Sequence, residues 1–330
     1  MWYWTGVTDH PPDHDRETAR APRSASTASR APRSASTAPP GPGSGGTPAG
    51  ARGGSGGQGV DTPCQEATAL RLKLREGRRV QGPEQLRRLV DDLGFCHAFT
   101  PEPPDYPFPV AAVPALFEFL PTDDEDTRWD WAWTWKDSVL ESGCMFYARL
   151  VHRKPTYVSS EMLPYFYAMS GNVGDEDDCL NAREEGRISA FACAVFDRVA
   201  ASGPTTTIEL GRHFAASRAT LDRALTELQA AMLLVPAGTR PEGPRKYTYL
   251  WDTFARRFPA AVAAASSLGR SRATEEVVLR YLQLAGAASE QQICRALPVP
   301  AFLIRNALQK LQSRGLVAYH PLAHRPAHHQ

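Results

Sequence analysis

One segment of this chain occurs twice, and that repeat restricts the fold more than any other feature of the sequence. Residues 206–235 (TTIELGRHFAASRATLDRALTELQAAMLLV) align without a gap with residues 289–318 (SEQQICRALPVPAFLIRNALQKLQSRGLVA), which lie 83 positions further along. Few residues are identical, but apolar and polar positions follow the same order. We therefore expect both segments to adopt the same fold.

Each copy begins with a helix-capping signal. Thr206 with Glu209, and Ser289 with Gln292, have the spacing of a capping box, in which a hydroxyl and a longer side chain satisfy free amides of the first helical turn. A second helix follows with apolar residues at helical spacing, and then a β-prone run. A third helix, ending at a glycine, is predicted upstream of each copy. Three helices and then a strand are the element order of a winged helix-turn-helix.

The wing of such a unit is a β-hairpin. Only the first copy is followed in the sequence by two β-prone runs that could form it. There, two β-prone runs flank the turn TRPEGPR, residues 239–245. The second copy has one strand and then continues into HPLAHRPAHHQ, so we expect its wing to be missing or rudimentary. The predicted fold class is α+β, mostly α, with tandem winged helix-turn-helix units, small β-hairpin wings and a long disordered N-terminal tail.

The first 60 residues have the composition of a disordered segment. They are rich in Pro, Gly, Ser, Ala and Arg, so they offer too little apolar surface to offset the entropy of ordering. Residues 18–60 contain five arginines and no acid, which suits contact with nucleic acid as well as a solvated linker. We divide the chain into five segments. A disordered tail (1–63) precedes an N-terminal domain (64–186), which could be a divergent winged helix with an aromatic-rich insert. A winged helix (187–255), a second, truncated winged helix (270–320) and a flexible His-rich tail (321–330) follow.

Charge and cysteine content restrict the class of protein. The formal net charge is only +1, so a nucleic-acid binder must concentrate its basic residues locally. Six cysteines lie far apart without the paired spacing of a zinc site, which is typical of reduced thiols in a cytoplasm. No apolar run approaches the ~20 residues of a membrane span, and the opening MWYWTG lacks the features of a signal peptide. We expect a cytoplasmic, nucleoid-associated monomer without a membrane anchor, cofactor or resident metal.

Four tryptophans alternate with other residues in WDWAWTWKD. This alternation predicts a strand with Trp129, Trp131, Trp133 and Trp135 on one face. Such a face is either buried packing, which is the commoner outcome, or a platform on which bases stack. Upstream, PEQLRRLVDDLGFC predicts an amphipathic helix with a proline near its start and a glycine at its end.

Two clusters of metal-ligand side chains carry weaker signals. The acidic run PTDDEDTRWD could bind a hard cation, but it lacks the spaced glycine and terminal glutamate of a calcium loop. It therefore predicts a solvated, flexible turn. The four histidines of HPLAHRPAHHQ could chelate metals adventitiously, but no second ligand cluster supports a built site.

Three motifs occur in order before the second repeat: TWKDSVLES, RLVHRKPTYVSSEMLPYFYAMSGN and LDRALTELQ. In these the chain resembles the bacterial AlkZ- and YcaQ-related winged-helix proteins over about residues 83–320. The resemblance implies a DNA glycosylase that excises alkylated bases and unhooks interstrand crosslinks, with several winged helices around the duplex.

The resemblance also places a catalytic signature, which this chain does not keep. In the family, two glutamines, or a glutamine and an aspartate, flank one apolar residue just after a helix that ends in Leu-Gly. The matching stretch is DDLGFCHAF, where His97 and Phe99 flank Ala98. Base excision needs groups that position water and stabilise an oxocarbenium ion, which phenylalanine cannot do. His97 is a candidate base, although a structural histidine is the commoner outcome.

Candidate DNA contacts come from the second helix and the wing of each copy and from the tryptophan motif. They are Arg218, Arg223, Arg240, Arg245 and Lys246 in the first copy, Arg305, Gln309, Lys310 and Arg314 in the second, and Trp135 and Lys136 in the motif. Arginine and glutamine suit base edges and phosphates, but they are also ordinary surface residues. Three functions stay open: a duplex-DNA-binding protein related to repair glycosylases that lacks their catalytic pair, an active glycosylase that uses His97, and a winged-helix scaffold for protein contacts.

Overall fold

The structure is a computed structural model that describes residues 1–5, 80–99, 113–242 and 247–320. The chain divides into two compact units, and every described residue belongs to the unit formed by Met1–Val7 and Val60–Gln330. Most of the predicted N-terminal tail, residues 6–63, lies outside the described residues, as does the predicted C-terminal tail, residues 321–330.

Short helices dominate the described residues, with three small sheets among them. The helices are α1 Pro83–Leu93, α2 Glu125–Ser142, α3 Leu163–Ser170, α4 Asp178–Glu184, α5 Ala190–Ser202, α6 Thr207–Phe214, α7 Arg218–Ala230, α8 Phe254–Arg257, α9 Pro259–Ala265, α10 Arg270–Ala285, α11 Glu290–Ala296 and α12 Ala301–Ser313. The strands are β1 Trp2–Trp4, β2 Phe95–His97, β3 Phe146–Arg149, β4 Pro155–Val158, β5 Thr205–Thr206, β6 Leu234–Pro241, β7 Tyr247–Thr253, β8 Ala287–Ala288 and β9 Val317–Tyr319. Short 3₁₀ segments occupy Leu116–Phe119 and Val151–Arg153. No helix in this part of the chain is long and apolar enough to cross a bilayer. The predicted mostly helical α+β class is therefore confirmed.

Both copies of the repeat have the same order of elements. Helices α5, α6 and α7 with strands β5 and β6 correspond to α10, α11 and α12 with β8 and β9. Both capping boxes are formed, since the Thr206 hydroxyl accepts the Glu209 amide at 3.2 Å and the Ser289 hydroxyl accepts the Gln292 amide at 3.1 Å. The reciprocal bonds from the backbone amides of Thr206 and Ser289 measure 2.8 and 2.7 Å. The predicted helix order and both caps are therefore confirmed.

The second copy completes its sheet with a strand from the other end of the chain. The first copy has the strand order β5-β7-β6, and the second has β8-β1-β9, both antiparallel. Trp251 of β7 lies opposite Thr205, and Trp2 of β1 lies opposite Ala288, the residue that the offset of 83 matches to Thr205. Trp2 is therefore the counterpart of Trp251. The second copy was predicted to have a missing or rudimentary wing, but its sheet has three strands. The repeat could not reveal this, because the third strand, β1, comes from the N-terminal end of the sequence.

Strand β1 also corrects the extent of the predicted tail. Trp2 is 9 % exposed and pairs on both sides, so residues 1–5 are part of the folded unit and not of a disordered tail. Aromatic side chains have strong β propensity and bury a large apolar area, which the Pro- and Gly-rich sequence downstream cannot do.

The tryptophan motif is helical, contrary to the predicted strand. Helix α2 begins after Asp124, whose carboxylate accepts the Thr127 amide at 2.9 Å, and it ends at Gly143 in the left-handed conformation. The acidic run is thus the cap and first turn of a helix, where the helix dipole favours negative charge, and not a flexible turn. On a helix, residues two apart point in different directions, so the four tryptophans do not share a face.

Two hydrophobic clusters form the core of the described residues. One contains the sheet β2-β4-β3, helices α1 to α3 and the second copy of the repeat. The other lies within the first copy, among α5, α6, α7 and the tryptophan of β7. The segment that carries His97 therefore shares its core with the second copy.

Candidate functional site

His97 lies at the end of strand β2 and is fixed by backbone bonds on both sides. Its amide donates to the Pro114 carbonyl at 2.8 Å, and the next amide, of Ala98, donates to the Pro155 carbonyl at 2.9 Å. Strand β2 pairs with β4, which places His97 opposite Thr156. The side chain is 2 % exposed, so its position is set by the sheet and not by solvent.

His152 reaches the same place from the turn between β3 and β4. His152 and Arg153 both have left-handed backbone conformations, with φ of 53° and 54°. For residues other than glycine, this conformation costs about 1–2 kcal/mol each. The Thr156 hydroxyl holds the turn by accepting the Val151 amide at 3.2 Å and donating to the Lys154 carbonyl at 2.8 Å. Two consecutive strained residues held in this way indicate a turn shaped for the side chains it presents.

The two imidazoles form a buried pair, which we call the histidine pair. His97 Nε2 lies 3.3 Å from His152 Nδ1. Burial, and secondarily the neighbouring His152, lowers the pKa of His97 to about 3. Burial and the nearby Lys154 lower the pKa of His152 as well. Both rings are therefore neutral at neutral pH, and one donates a hydrogen bond to the other. A base with a pKa this low removes protons poorly.

Phe99, at the second position of the motif, lies among three aromatic rings, two of which are partly exposed. Its ring stacks on Trp129 with centroids 5.0 Å apart, and Trp133 lies at 5.2 Å. Phe117 packs edge-on against both Phe99 and Trp129. Trp129 and Trp133 are 37 % and 39 % exposed. These four rings, the aromatic cluster, form a partly open apolar surface two residues from His97.

Lys136 follows the aromatic cluster on helix α2, and it is completely buried. Its Nζ lies 3.0 Å from the hydroxyls of both Tyr247 and Tyr249 and 4.2 Å from the centre of the Trp133 ring. It also pairs with the Asp137 carboxylate at 2.8 Å. Burial acts to lower the pKa of Lys136, but Tyr249 and the hydrogen bonds to these partners outweigh it and raise the pKa. Lys136 therefore stays charged and connects helix α2 to strand β7.

The burial of Lys136 corrects two predicted DNA contacts. Lys136 is 0 % exposed and Trp135 is 6 % exposed, so neither side chain is available to a duplex. The most exposed tryptophans of the motif are Trp129 and Trp133. Reading the motif as a helix would have divided the four tryptophans into two pairs, because residues four apart share a helical face, but only the structure shows which pair is exposed.

The predicted contacts on the two repeat copies differ in availability. On α12, Arg305 pairs with Glu290 at 2.9 Å, and Lys310 and Arg314 pair with Glu275 at 3.2 and 3.3 Å. Each of these cations is therefore ion-paired within the unit, although Lys310 and Arg314 share one carboxylate. The remaining predicted contacts with described side chains are all exposed: Arg218, Arg223, Arg240 and Gln309. Arg245 and Lys246 lie outside the described residues. As DNA contacts, all of these residues stay predictions.

One group of side chains in the described residues has the composition of a metal site. The thiols of Cys179 and Cys193 and the carboxylate of Asp197 lie within 4.8 Å of one another. Burial, and then the neighbouring Cys193, raises the pKa of the Cys179 thiol, which opposes the thiolate form that a metal requires. Three ligand atoms are also one fewer than a structural zinc site uses. The group is therefore a pair of buried thiols beside a carboxylate.

More than half of the chain matches a known protein family. A family model described as AlkZ related matches residues 80–298. The solved structure of Streptomyces sahachiroi DNA glycosylase AlkZ is similar with a TM-score of 0.45 and 15 % sequence identity, over 75 % of this chain and 65 % of that chain. No curated protein sequence matches.

Proposed function

Because the chain belongs to the AlkZ-related family, we propose that it binds double-stranded DNA through tandem winged helices and lacks the excision chemistry of glycosylases. One observation carries this proposal. His97 and Phe99 occupy the two positions at which glycosylases of this kind are expected to have polar side chains. We place the protein in the cytoplasm, at the nucleoid.

The two repeat copies support the winged-helix part of the proposal. Each has three helices and a three-stranded antiparallel sheet in matching register, with a second helix, α7 or α12, that exposes polar residues. In a helix-turn-helix protein the second helix lies in the major groove. Because the α12 cations are ion-paired and Arg218, Arg223 and Arg240 have no ion pair among the described residues, we expect the first copy to bind phosphates more strongly.

The aromatic cluster supports contact with an unpaired base. Trp129 and Trp133 are partly exposed and pack against Phe99, and a base stacked on an aromatic side chain gains about 1–3 kcal/mol. A base taken out of the duplex could stack on these rings. Such a site recognises a displaced base without needing to cleave its glycosidic bond.

The missing chemistry follows from the properties of the two motif residues. Phe99 offers no lone pair or charge to a developing oxocarbenium ion, and His97, with a pKa of about 3, is a weak base. A second candidate function, excision by the histidine pair, is favoured by one observation, the strained turn that holds His152 against His97.

Duplex binding is tested by fluorescence anisotropy across a salt series. Replacing Arg218, Arg223 and Arg240 by glutamine should lower the slope of log affinity against log salt by about 0.9 for each phosphate that the protein no longer neutralises. Arg198→Gln, an exposed arginine of α5 outside the predicted surface, is the matched control. If wild-type protein binds duplex no better than a neutral protein, or if the triple variant binds unchanged, the repeat copies serve protein contacts instead.

Excision is tested with duplex DNA that carries N7-alkylguanine, followed by alkaline cleavage of abasic sites. We expect few or no strand breaks while binding is retained. Breaks that disappear in both His97→Ala and His152→Ala would establish the histidine pair as a catalytic unit. Breaks that persist in both variants would place the reacting groups elsewhere.

A further inference from the structure

A polar cavity lies on the other side of the strained turn. It has a volume of about 400 Å³ and is bounded by the turn at Arg153, the C-terminal end of α7 and the segment from Cys294 to Pro300. The cavity therefore lies where the sheet region meets both copies of the repeat. The turn presents His152 to the histidine pair and Arg153 to this cavity.

Three arginines and one glutamate set the charge of the cavity. Arg153, Arg187 and Arg295 line it together with Glu185. Glu185 is already engaged, since it accepts Arg187 Nε at 2.7 Å and Arg270 Nη1 at 3.0 Å. Helix ends of both polarities adjoin the cavity, the C-terminal ends of α7 and α11 and the N-terminal end of α12. Their dipoles oppose one another, so the guanidinium groups decide the sign of the potential.

The guanidinium groups are incompletely paired. Among the described residues, Arg153 and Arg295 have no ion pair or side-chain hydrogen bond. Arg187 has a side chain only 11 % exposed, and its Nη1 is buried without a hydrogen-bond partner in the part of the chain that the structure describes. Arginine stays protonated in proteins, and a buried charged donor without a partner is unfavourable. Arg153 and Arg295 are exposed, so an anion that enters the cavity can reach both guanidinium groups.

We propose that this cavity, which Arg153, Arg187 and Arg295 line, binds a phosphate group. A phosphate has enough oxygens to accept from three guanidinium groups, whereas a carboxylate has two, and planar guanidinium forks match phosphate oxygens in pairs. The cavity binds phosphate whether it is free, part of a nucleotide or part of a DNA backbone. The DNA source rests on the function proposed above, and the phosphate site itself does not.

The phosphate site is tested on the full chain with inorganic phosphate against chloride at equal ionic strength. Isothermal titration should detect binding by wild type and at least a tenfold weaker affinity in Arg295→Gln and in Arg153→Asn, where asparagine tolerates the left-handed backbone. Arg198→Gln, the same charge change outside the cavity, should bind as wild type does. Absence of phosphate binding by wild type, or equal losses in all three variants, would overturn the proposal.

Two further measurements identify the source of the phosphate. If it belongs to a DNA backbone, Arg295→Gln and Arg153→Asn should each lower the salt slope of duplex binding by about 0.9. If both variants lose inorganic phosphate binding while the duplex slope stays unchanged, the ligand is a free phosphate ester, and a mononucleotide should compete with phosphate. If the protein binds duplex DNA but not inorganic phosphate, the proposed phosphate site is wrong and the proposed DNA binding stands. If it binds inorganic phosphate but not duplex DNA, the proposed DNA binding is wrong and the proposed phosphate site stands.

Discussion

Replacing His97 by glutamine should reduce the loss of stability that the protein suffers in mild acid. His97 has a pKa of about 3 in the folded protein, because it is buried beside His152, against about 6.5 in an unfolded chain. Between these values the unfolded chain takes up a proton that the folded protein does not. Protonation therefore favours unfolding, and stability falls as the pH decreases from about 6.5 toward 3.

The expected size of this effect follows from the two pKa values. Linkage from a single group with these values lowers the free energy of unfolding by about 2 kcal/mol between pH 7 and pH 5. The pKa of His152 is also lowered, so its contribution has the same sign. Glutamine is close to histidine in volume and cannot be protonated, so His97→Gln should remove the contribution of one imidazole and leave the other.

Urea unfolding monitored by tryptophan fluorescence at pH 7, 6 and 5 measures this contribution. Wild-type protein should lose about 2 kcal/mol more than His97→Gln between pH 7 and pH 5. His213→Gln, which removes an exposed histidine from α6, is the matched control for the loss of an imidazole. Parallel curves for wild type and His97→Gln would show that His97 is protonated equally in the folded and unfolded protein. The conclusion that His97 is neutral in the folded protein at pH 5 would then be wrong.

Three further predictions concern stability. Lys136→Met should destabilise the protein by about 1–3 kcal/mol in urea unfolding, because two tyrosine hydroxyls lose their buried partner; an unchanged midpoint would contradict the buried contact. Trp2→Ala should lower the free energy of unfolding by about 3–5 kcal/mol in the same assay, and Tyr3→Ala should lower it less. The reason is that only Trp2 occupies the position that matches Trp251 of the first copy, and equal losses would argue against that equivalence. Thr206→Ala and Ser289→Ala should each lower stability by about 0.5–2 kcal/mol, and a loss in only one of them would mean that the two caps are not equivalent.

Local signals in the sequence determined the helices of the repeat. A capping box acts between residues three apart, so Thr206 and Ser289 identify their helix starts without any knowledge of the tertiary structure. The same holds for α1, which has a proline in its first turn and Gly94 at its end, as predicted. The motif that carries the family resemblance also lies within continuous stretches of chain. These features depend on neighbours in sequence, and the sequence therefore contains them in full.

The tryptophan motif shows where local pattern reading fails. Alternation with a period of two is typical of a strand, but the segment also has an N-terminal cap at Asp124 and a terminating glycine eighteen residues beyond the first helical position. Length and caps favour a helix over a strand when periodicity is ambiguous. The caps were present in the sequence, but only the structure decided which of the two patterns prevailed.

Tertiary structure alone decided the long-range contacts of this protein. His97 meets His152, Lys136 meets two tyrosines more than a hundred positions away, and Trp2 completes the sheet of the second copy. Each of these contacts joins segments that have no fixed spacing in sequence, and their partners are chosen by how strands pair and how the core excludes water. The sequence by itself specifies its helices and its repeat, because those interactions span a few residues. Which side chains become buried, paired or exposed depends on packing of the whole unit.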